Sequence, residues 1–114
     1  MLFAGHFRVA VVESGWTSQL SLSGEFDIAG VGRVEDALDS VFQAPLPRQV
    51  LFDLRGLTFL DAAGLRTILQ ANERARAAAV ELRVVRPRGA ANRVFTLTRA
   101  GVELSMVDDP EGMA

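Results

Sequence analysis

The stretch that decides the fold runs from residue 48 to residue 79 and reads RQVLFDLRGLTFLDAAGLRTILQANERARAAA. Residues 50–54 form a compact apolar run bounded by a proline and a glycine, and a run of this length predicts a buried strand. A short loop is expected next, followed by an amphipathic helix. Asp61 stands where that helix needs its N-cap, because its carboxylate can accept a hydrogen bond from the backbone N–H of Ala63 or Gly64.

The composition is typical of one globular domain. The chain has 114 residues, of which 49% are apolar and 23% charged, and this length fits a single domain over residues 1–114, with its core over 7–107 and a flexible tail over 108–114. No apolar run approaches the ~20 residues of a membrane-spanning helix, and no basic segment of a signal peptide precedes the first apolar residues. We therefore expect a cytoplasmic protein without direct membrane insertion.

Charge and residue types exclude several classes of function. The net charge is −2 and every basic residue is an arginine, so there is no electrostatic reason to expect a nucleic-acid partner. The chain has no cysteine and a single histidine, His6, and no carboxylates stand at metal-ligand spacing, so we expect neither a metal nor a cofactor. Asp53 and Asp61 flank the predicted loop, but no nucleophile or phosphate-cradling loop completes a site. The expected function is therefore recognition rather than catalysis.

The residues before the opening stretch predict a hairpin and a helix. Alternating residues over 7–12 and 19–23 predict two antiparallel strands joined by a turn. We expect Trp16 to pack over the end of this hairpin. Asp27 is the predicted cap of a first helix, whose apolar residues recur at three- and four-residue steps over 31–42.

A strand–helix–strand unit follows the hairpin and the first helix. Residues 80–85 alternate as a strand, and with the strand at 50–54 they imply a parallel pair with a right-handed crossover. The crossover helix is expected to bury Leu65, Ile68, Leu69, Asn72 and Ala75. The sequence thus predicts an α/β fold: a mixed sheet of four to five strands, with the strand at 50–54 near its centre and three to four helices mainly on one face.

The last third of the chain predicts a helix and a short apolar element. Residues 90–100 are expected to form a helix that carries Val94 and Leu97 inward and ends at Gly101. Residues 102–106 suggest the final apolar element. Three arginines before this helix are interpreted as a solvated rim rather than a phosphate site; they are Arg83, Arg86 and Arg88.

Four segments of the chain carry a family resemblance. The run LFDLRGLTFLDAAGLRTIL, preceded by LSGEFDIAGVGRVEDAL and followed by ELRVVRP and RVFTLTRAGV, resembles a STAS domain of the anti-sigma factor antagonist type in order and spacing. The resemblance extends from about residue 7 to residue 107 and implies a single STAS-type fold. It also implies a partner-binding surface made of Glu25, Asp27, Ile28, Thr58, Asp61, Ala62, Ala63, Gly64, Leu65 and Arg66.

The same resemblance implies a partner and a switch. Such antagonists bind an anti-sigma factor that is also a serine kinase with a histidine-kinase-like ATPase fold, and the kinase phosphorylates the Ser or Thr just before the loop glycine. This chain has Ala63 at that position, with Ala62 before it, so the usual phosphorylation is not expected. The nearest hydroxyls belong to Thr58 and Thr67, and a shifted phosphorylation site is the alternative to a Thr67 hydroxyl that simply bonds a backbone carbonyl.

Two further alternatives stay open at this point. The domain is either an anti-sigma factor antagonist or a STAS accessory or ligand-sensing subunit of a transport or signalling complex. A homodimer is possible as well, since the apolar residues Leu2 and Phe3 either cap the hairpin or support self-association.

Overall fold

Within residues 6–110, five strands form one mixed sheet in which the sheet order follows the chain order. The computed structural model describes residues 6–110, so Leu2 and Phe3 lie outside the described residues. The strands are β1 (Arg8–Ser14), β2 (Thr17–Phe26), β3 (Gln49–Leu60), β4 (Glu81–Val85) and β5 (Met106–Val107). The helices are α1 (Val31–Val41), α2 (Ala62–Ala77), α3 (Ala90–Leu97) and α4 (Ala100–Glu103), with a 3-10 helix, Ile28–Gly30, directly before α1. The predicted mixed α/β sheet is confirmed, and β3 is its central strand.

Strand direction explains why the helices share one face. β1 pairs with β2 antiparallel, and the pairs β2–β3, β3–β4 and β4–β5 are all parallel. Because the order never reverses, three right-handed crossovers place all of the helical connections on the same side of the sheet. The core lies between that side and the helices, where Phe52 of β3 joins one buried cluster with Val34, Ile68 and Phe95. The other side of the sheet, the open face, carries no helix within residues 6–110.

The central strand is longer than the sequence predicts. The expected loop after residue 54 is strand, because β3 continues to Leu60 and pairs with the end of β2. Two register shifts each add one residue to β3 opposite β2, and bulges of this kind let Leu54, Leu57 and Leu60 all point into the core. In a regular strand, inward-pointing residues are spaced by two, so the three-residue spacing of these leucines hides the strand in the sequence. The prediction of a loop after residue 54 was wrong.

The predicted third helix is two helices. α3 ends at Leu97, and Thr98 is extended with φ −121° and ψ 175°. The Thr98 hydroxyl donates to the carbonyl of Val94 at 2.6 Å and accepts from the amide of Ala100 at 3.2 Å, so it closes α3 and starts α4. Gly101 therefore lies inside α4 rather than at a helix end.

The break also changes which side chains are buried. Phe95 is 1% exposed while Leu97 is 81% exposed, so the prediction that Leu97 points inward was wrong. Val102 of the expected last apolar element is exposed too, whereas Leu104 is buried. The expected tail begins with an ordered contact, since Asp108 lies 3.5 Å from the guanidinium of Arg86. Residues 111–114 of that tail lie outside the described residues.

A helix that crosses a bilayer must be about 20 residues long and predominantly apolar, and the helices of residues 6–110 do not meet this requirement.

Candidate functional site

The start of α2 is built around Asp61. Its backbone is extended, with φ −103° and ψ −177°, and its Oδ1 accepts a hydrogen bond of 2.9 Å from the amide of Gly64. Its own carbonyl accepts the amide of Leu65, also at 2.9 Å. The predicted cap is therefore confirmed, and it fixes the direction in which α2 leaves the end of β3.

Gly64 lets the first turn of α2 lie directly on the sheet. A methyl group added there would sit 2.7 Å from Leu60 Cδ1 and 2.8 Å from the carbonyl oxygen of Phe26. Both distances are well below an ordinary van der Waals contact. Phe26 ends β2 and its carbonyl also accepts the amide of Asp61 at 3.2 Å, so the ends of two strands and one helix meet at this glycine.

The two alanines before Gly64 present no hydroxyl to solvent. Ala62 is exposed and Ala63 is half-buried. The carbonyl of Ala63 accepts a hydrogen bond of 2.9 Å from the hydroxyl of Thr67, and Thr67 is only 4% exposed. The Thr67 hydroxyl thus bonds a backbone carbonyl of its own helix, which is one of the two alternatives given for this residue.

The buried face of α2 is rotated about the helix axis relative to the face that was predicted. Its buried residues are Gly64, Thr67, Ile68, Ala71 and Ala75. The predicted inward residues Leu65, Leu69 and Asn72 are only half-buried. The small side chains at positions 64, 67 and 71 allow α2 to approach its neighbours closely. The prediction missed Gly64, Thr67 and Ala71 because it placed mainly large apolar residues in the core.

The segment between β2 and α1 lies beside this helix start. Asp27 caps the 3-10 helix, since its Oδ1 accepts the amide of Ala29 at 2.9 Å, so the predicted cap serves this short helix rather than α1 itself. Ile28, the next residue, is 75% exposed. Thr58 on β3 is exposed and its hydroxyl donates to the carbonyl of Gly24 at 3.3 Å.

These elements place the predicted partner-binding residues at one end of the sheet. The 3-10 helix contacts α2, and β2 pairs with β3 through Glu25 opposite Phe59. Phe59 is 47% exposed and was not singled out from the sequence. The exposed and half-buried residues of this end form what we call the α2-terminus surface, which comprises Glu25, Asp27, Ile28, Thr58, Phe59, Asp61, Ala62, Ala63, Leu65 and Arg66. Gly64, which was predicted to be part of it, is buried beneath this surface.

The two carboxylates that flank the expected loop are not brought together. Asp61 caps α2, whereas Asp53 lies on the open face and is 8% exposed. Its carboxylate accepts hydrogen bonds of 2.9 and 2.8 Å from the guanidinium of Arg55. These bonds lower the pKa of Asp53 although its burial acts in the opposite direction. Asp53 is thus an ion-pair partner held anionic, and no group of three or more metal-ligating side chains occurs within residues 6–110.

Three solved structures resemble this fold over most of its length. An anti-sigma factor antagonist from Mycobacterium paratuberculosis aligns with a TM-score of 0.84 at 24% identity, covering 96% of this chain and 94% of that one. The anti-sigma factor antagonist SpoIIAA in its unphosphorylated form aligns with a TM-score of 0.74 at 19% identity, covering 94% and 92%. A sulfate transporter family protein from Wolinella succinogenes aligns at 0.65 and 19% identity, covering 88% and 83%. At these identities the likeness establishes the fold.

Sequence comparison gives the family. No curated protein matches the chain significantly. The family model of the STAS domain matches residues 8–109, which is nearly the whole chain and includes every strand and helix described above. This chain therefore belongs to the STAS domain family, and its fold is that of the anti-sigma factor antagonists.

Proposed function

We propose that this chain is a binding regulator of the anti-sigma factor antagonist type. Its partner is an anti-sigma factor, or a related serine kinase with a histidine-kinase-like ATPase fold, which docks on the α2-terminus surface. The observation that carries the proposal is the exposure of Ile28 and Phe59, at 75% and 47%, beside a helix start fixed by Asp61 and Gly64. Exposed apolar side chains on a rigid frame suit protein recognition, since little conformational entropy is lost on docking.

The carboxylates of this surface suit binding better than catalysis. Asp61 and Asp27 each accept a backbone amide, and these hydrogen bonds orient both carboxylates as helix caps. We therefore propose that this chain is a cytoplasmic regulator of transcription without enzymatic activity.

The proposed partner does not control this chain by phosphorylation at position 63. A phosphate there would add about −1.5 to −2 charges close to Asp61. At ~5 Å and an effective dielectric near 20, each like charge on a partner would cost roughly 3 kcal/mol, about a hundredfold in affinity. Ala63 cannot accept that group, so binding of this chain stays on when the kinase is active.

A binding titration with a kinase-type anti-sigma factor from the same cell tests the docking surface. Ile28→Asp and Phe59→Asp are each expected to weaken binding at least roughly tenfold, because each places a charge in an apolar contact. Val102→Asp is the matched control, since Val102 is 84% exposed on α4, outside this surface. If all three variants bind like the unmodified protein, the α2-terminus surface is not the docking site.

Mass spectrometry after incubation with the same kinase and ATP tests the missing switch. The unmodified chain should keep its mass, whereas Ala63→Ser should gain about 80 Da for each phosphate. A mass gain on the unmodified chain would contradict the proposal, and mapping it to Thr58 would identify the shifted site. Thr67 is the less accessible of the two threonines because it is buried.

A second candidate function rests on one comparison. The structure of a sulfate transporter family protein shares this fold over 88% of the chain, which supports an accessory or ligand-sensing role in a transport or signalling complex. Affinity capture from the native cell separates the two: recovery of an ATPase-fold kinase supports the antagonist, and recovery of a transport protein supports the accessory role.

A further inference from the structure

A groove on the open face of the sheet has three arginines around it. Arg8 of β1, Arg55 of β3 and Arg88, which follows β4, line an open cavity of about 450 Å³. The three residues are far apart in the sequence, and only the sheet order brings them to one place. We call this cavity the arginine groove.

Between the arginines the groove is lined mainly by small residues, together with Ala10 and Leu22. Ser21 and Ser23 of β2 and Gly56 of β3 line it. A methyl group on Gly56 would lie 2.8 Å from Ser23 Cβ, so glycine keeps the strands close at this point. The Ser21 hydroxyl accepts a hydrogen bond from the side-chain amide of Gln19 at 3.1 Å, which leaves its own proton to be donated.

The arginines of this region have divided roles. Arg83 pairs with Glu81 at 3.1 Å and Arg86 with Asp108 at 3.5 Å, so these two form the solvated rim expected from the sequence. Arg88 is exposed and forms no ion pair with any residue of 6–110. The third arginine of the predicted rim thus faces the groove with its charge uncompensated.

Arg8, on the β1 side of the groove, is exposed and is likewise without an ion pair to any residue that the structure describes. Among the described residues, 6–110, Asp53 is the one carboxylate that lines the groove, and it accepts a bidentate contact from Arg55. Three guanidinium groups and one carboxylate give the groove a charge of +2, in a chain whose net charge is −2.

We propose that the arginine groove binds a compact, multiply charged oxyanion, either a phosphate ester or a small dicarboxylate. Guanidinium groups present paired N–H donors that match the oxygens of both anions. The serine hydroxyls below supply further donors. No aromatic side chain lines the groove in the part of the chain that the structure describes, so the ligand is held by its charge rather than by stacking. The site does not depend on the proposed docking at the start of α2.

Calorimetric titration of the full chain with inorganic pyrophosphate and, separately, with malonate tests this site at low salt. We expect millimolar or tighter binding of at least one probe, which weakens roughly tenfold in Arg88→Glu and in Arg8→Glu. Arg93→Glu is the matched control, because Arg93 is exposed on α3, outside the groove, and the substitution changes the net charge equally. The control should lose less than roughly twofold.

The outcomes separate the ligand classes and the artefacts. Binding of pyrophosphate alone supports a phosphate ester, binding of malonate alone supports a dicarboxylate, and binding of both supports a general oxyanion site. Absence of binding for both probes would overturn the proposal. So would an equal loss in Arg93→Glu, because it would mean that only the overall charge attracts the anion. Far-ultraviolet circular dichroism of each variant verifies that these surface changes leave the fold intact.

Discussion

Adjacent residues of β3 illustrate how differently the two faces of this sheet are built. Phe52 points to the helices, is fully buried and belongs to the apolar cluster. Asp53 points to the open face, is almost as buried at 8% exposure, and is held by two hydrogen bonds from Arg55. One side chain is buried by packing and the next by a polar contact.

This contrast separates apolar packing and polar contacts onto the two sides of one strand. A face covered by helices favours apolar side chains and holds a polar one only when it is hydrogen-bonded, as the buried Thr67 hydroxyl is, because an unpaired polar group there would lose its water. An open face keeps water within reach, so it can hold charges and small polar residues at a modest cost. Substitutions on the two faces should therefore differ both in size and in their dependence on pH.

The largest effect is expected for Phe52→Ala. Truncation of a fully buried phenylalanine should lower the free energy of unfolding by about 3–5 kcal/mol, since the helices cannot collapse into the whole cavity. Urea denaturation followed by circular dichroism measures this loss.

Leu51→Ala on the same strand is the matched variant. Leu51 is 3% exposed, but its cross-strand neighbours on the open face are the flexible side chains of Gln19 and Arg83. These can move into the vacated space, so a loss of about 2 kcal/mol is expected. Equal losses in the two variants would contradict the distinction between the faces.

The covered face was largely predictable from the sequence, because period and residue type coincide there. The apolar alternation of β2 and β4, the compact apolar run of β3 and the cap at Asp61 needed only local rules. The structure departs from the prediction for a tertiary reason in one place and for a local one in another. Bulges against β2 extend β3 through the expected loop, and the hydroxyl of Thr98 divides the expected third helix.

The candidate sites were predictable to a smaller extent. The start of α2 is one continuous segment, so its cap and its glycine could be read directly. Phe59 was missed because its exposure follows from the bulged register of β3. The arginine groove was out of reach of sequence reasoning, since Arg8 and Arg88 come together only when the sheet order is known.

An intermediate effect is expected for Arg55→Ala on the open face. The substitution leaves the carboxylate of Asp53 without its main partner and should cost about 1–2 kcal/mol at neutral pH. A fully buried pair would cost more, but Arg55 is 39% exposed and water screens the interaction. Arg83→Ala removes a more exposed pair with Glu81 and should cost less than about 0.5 kcal/mol.

The pH dependence of that difference is a sharper measurement. Because the folded state lowers the pKa of Asp53 below its ordinary value of 3.8, the ion pair stabilises the protein above that pH. The stabilisation is lost as the pH falls from about 4 through the folded-state pKa. The stability gap between the unmodified protein and Arg55→Ala should therefore narrow in acid, and a gap that stays constant from neutral pH to pH ~3 would show that Arg55 acts through packing alone.

The smallest effect is expected for Leu97→Ser at the end of α3. Leu97 is 81% exposed, two residues from the buried Phe95, so the change removes no core contact and should alter the free energy of unfolding by no more than about 0.5 kcal/mol. The denaturation midpoint and slope should both stay the same at low and at high protein concentration. A loss above about 1 kcal/mol that grows with protein concentration would instead show that Leu97 is buried between two copies of the chain. In that case a second copy of the chain would cover the outer side of α3, and the apolar packing on this side of the sheet would continue between two chains.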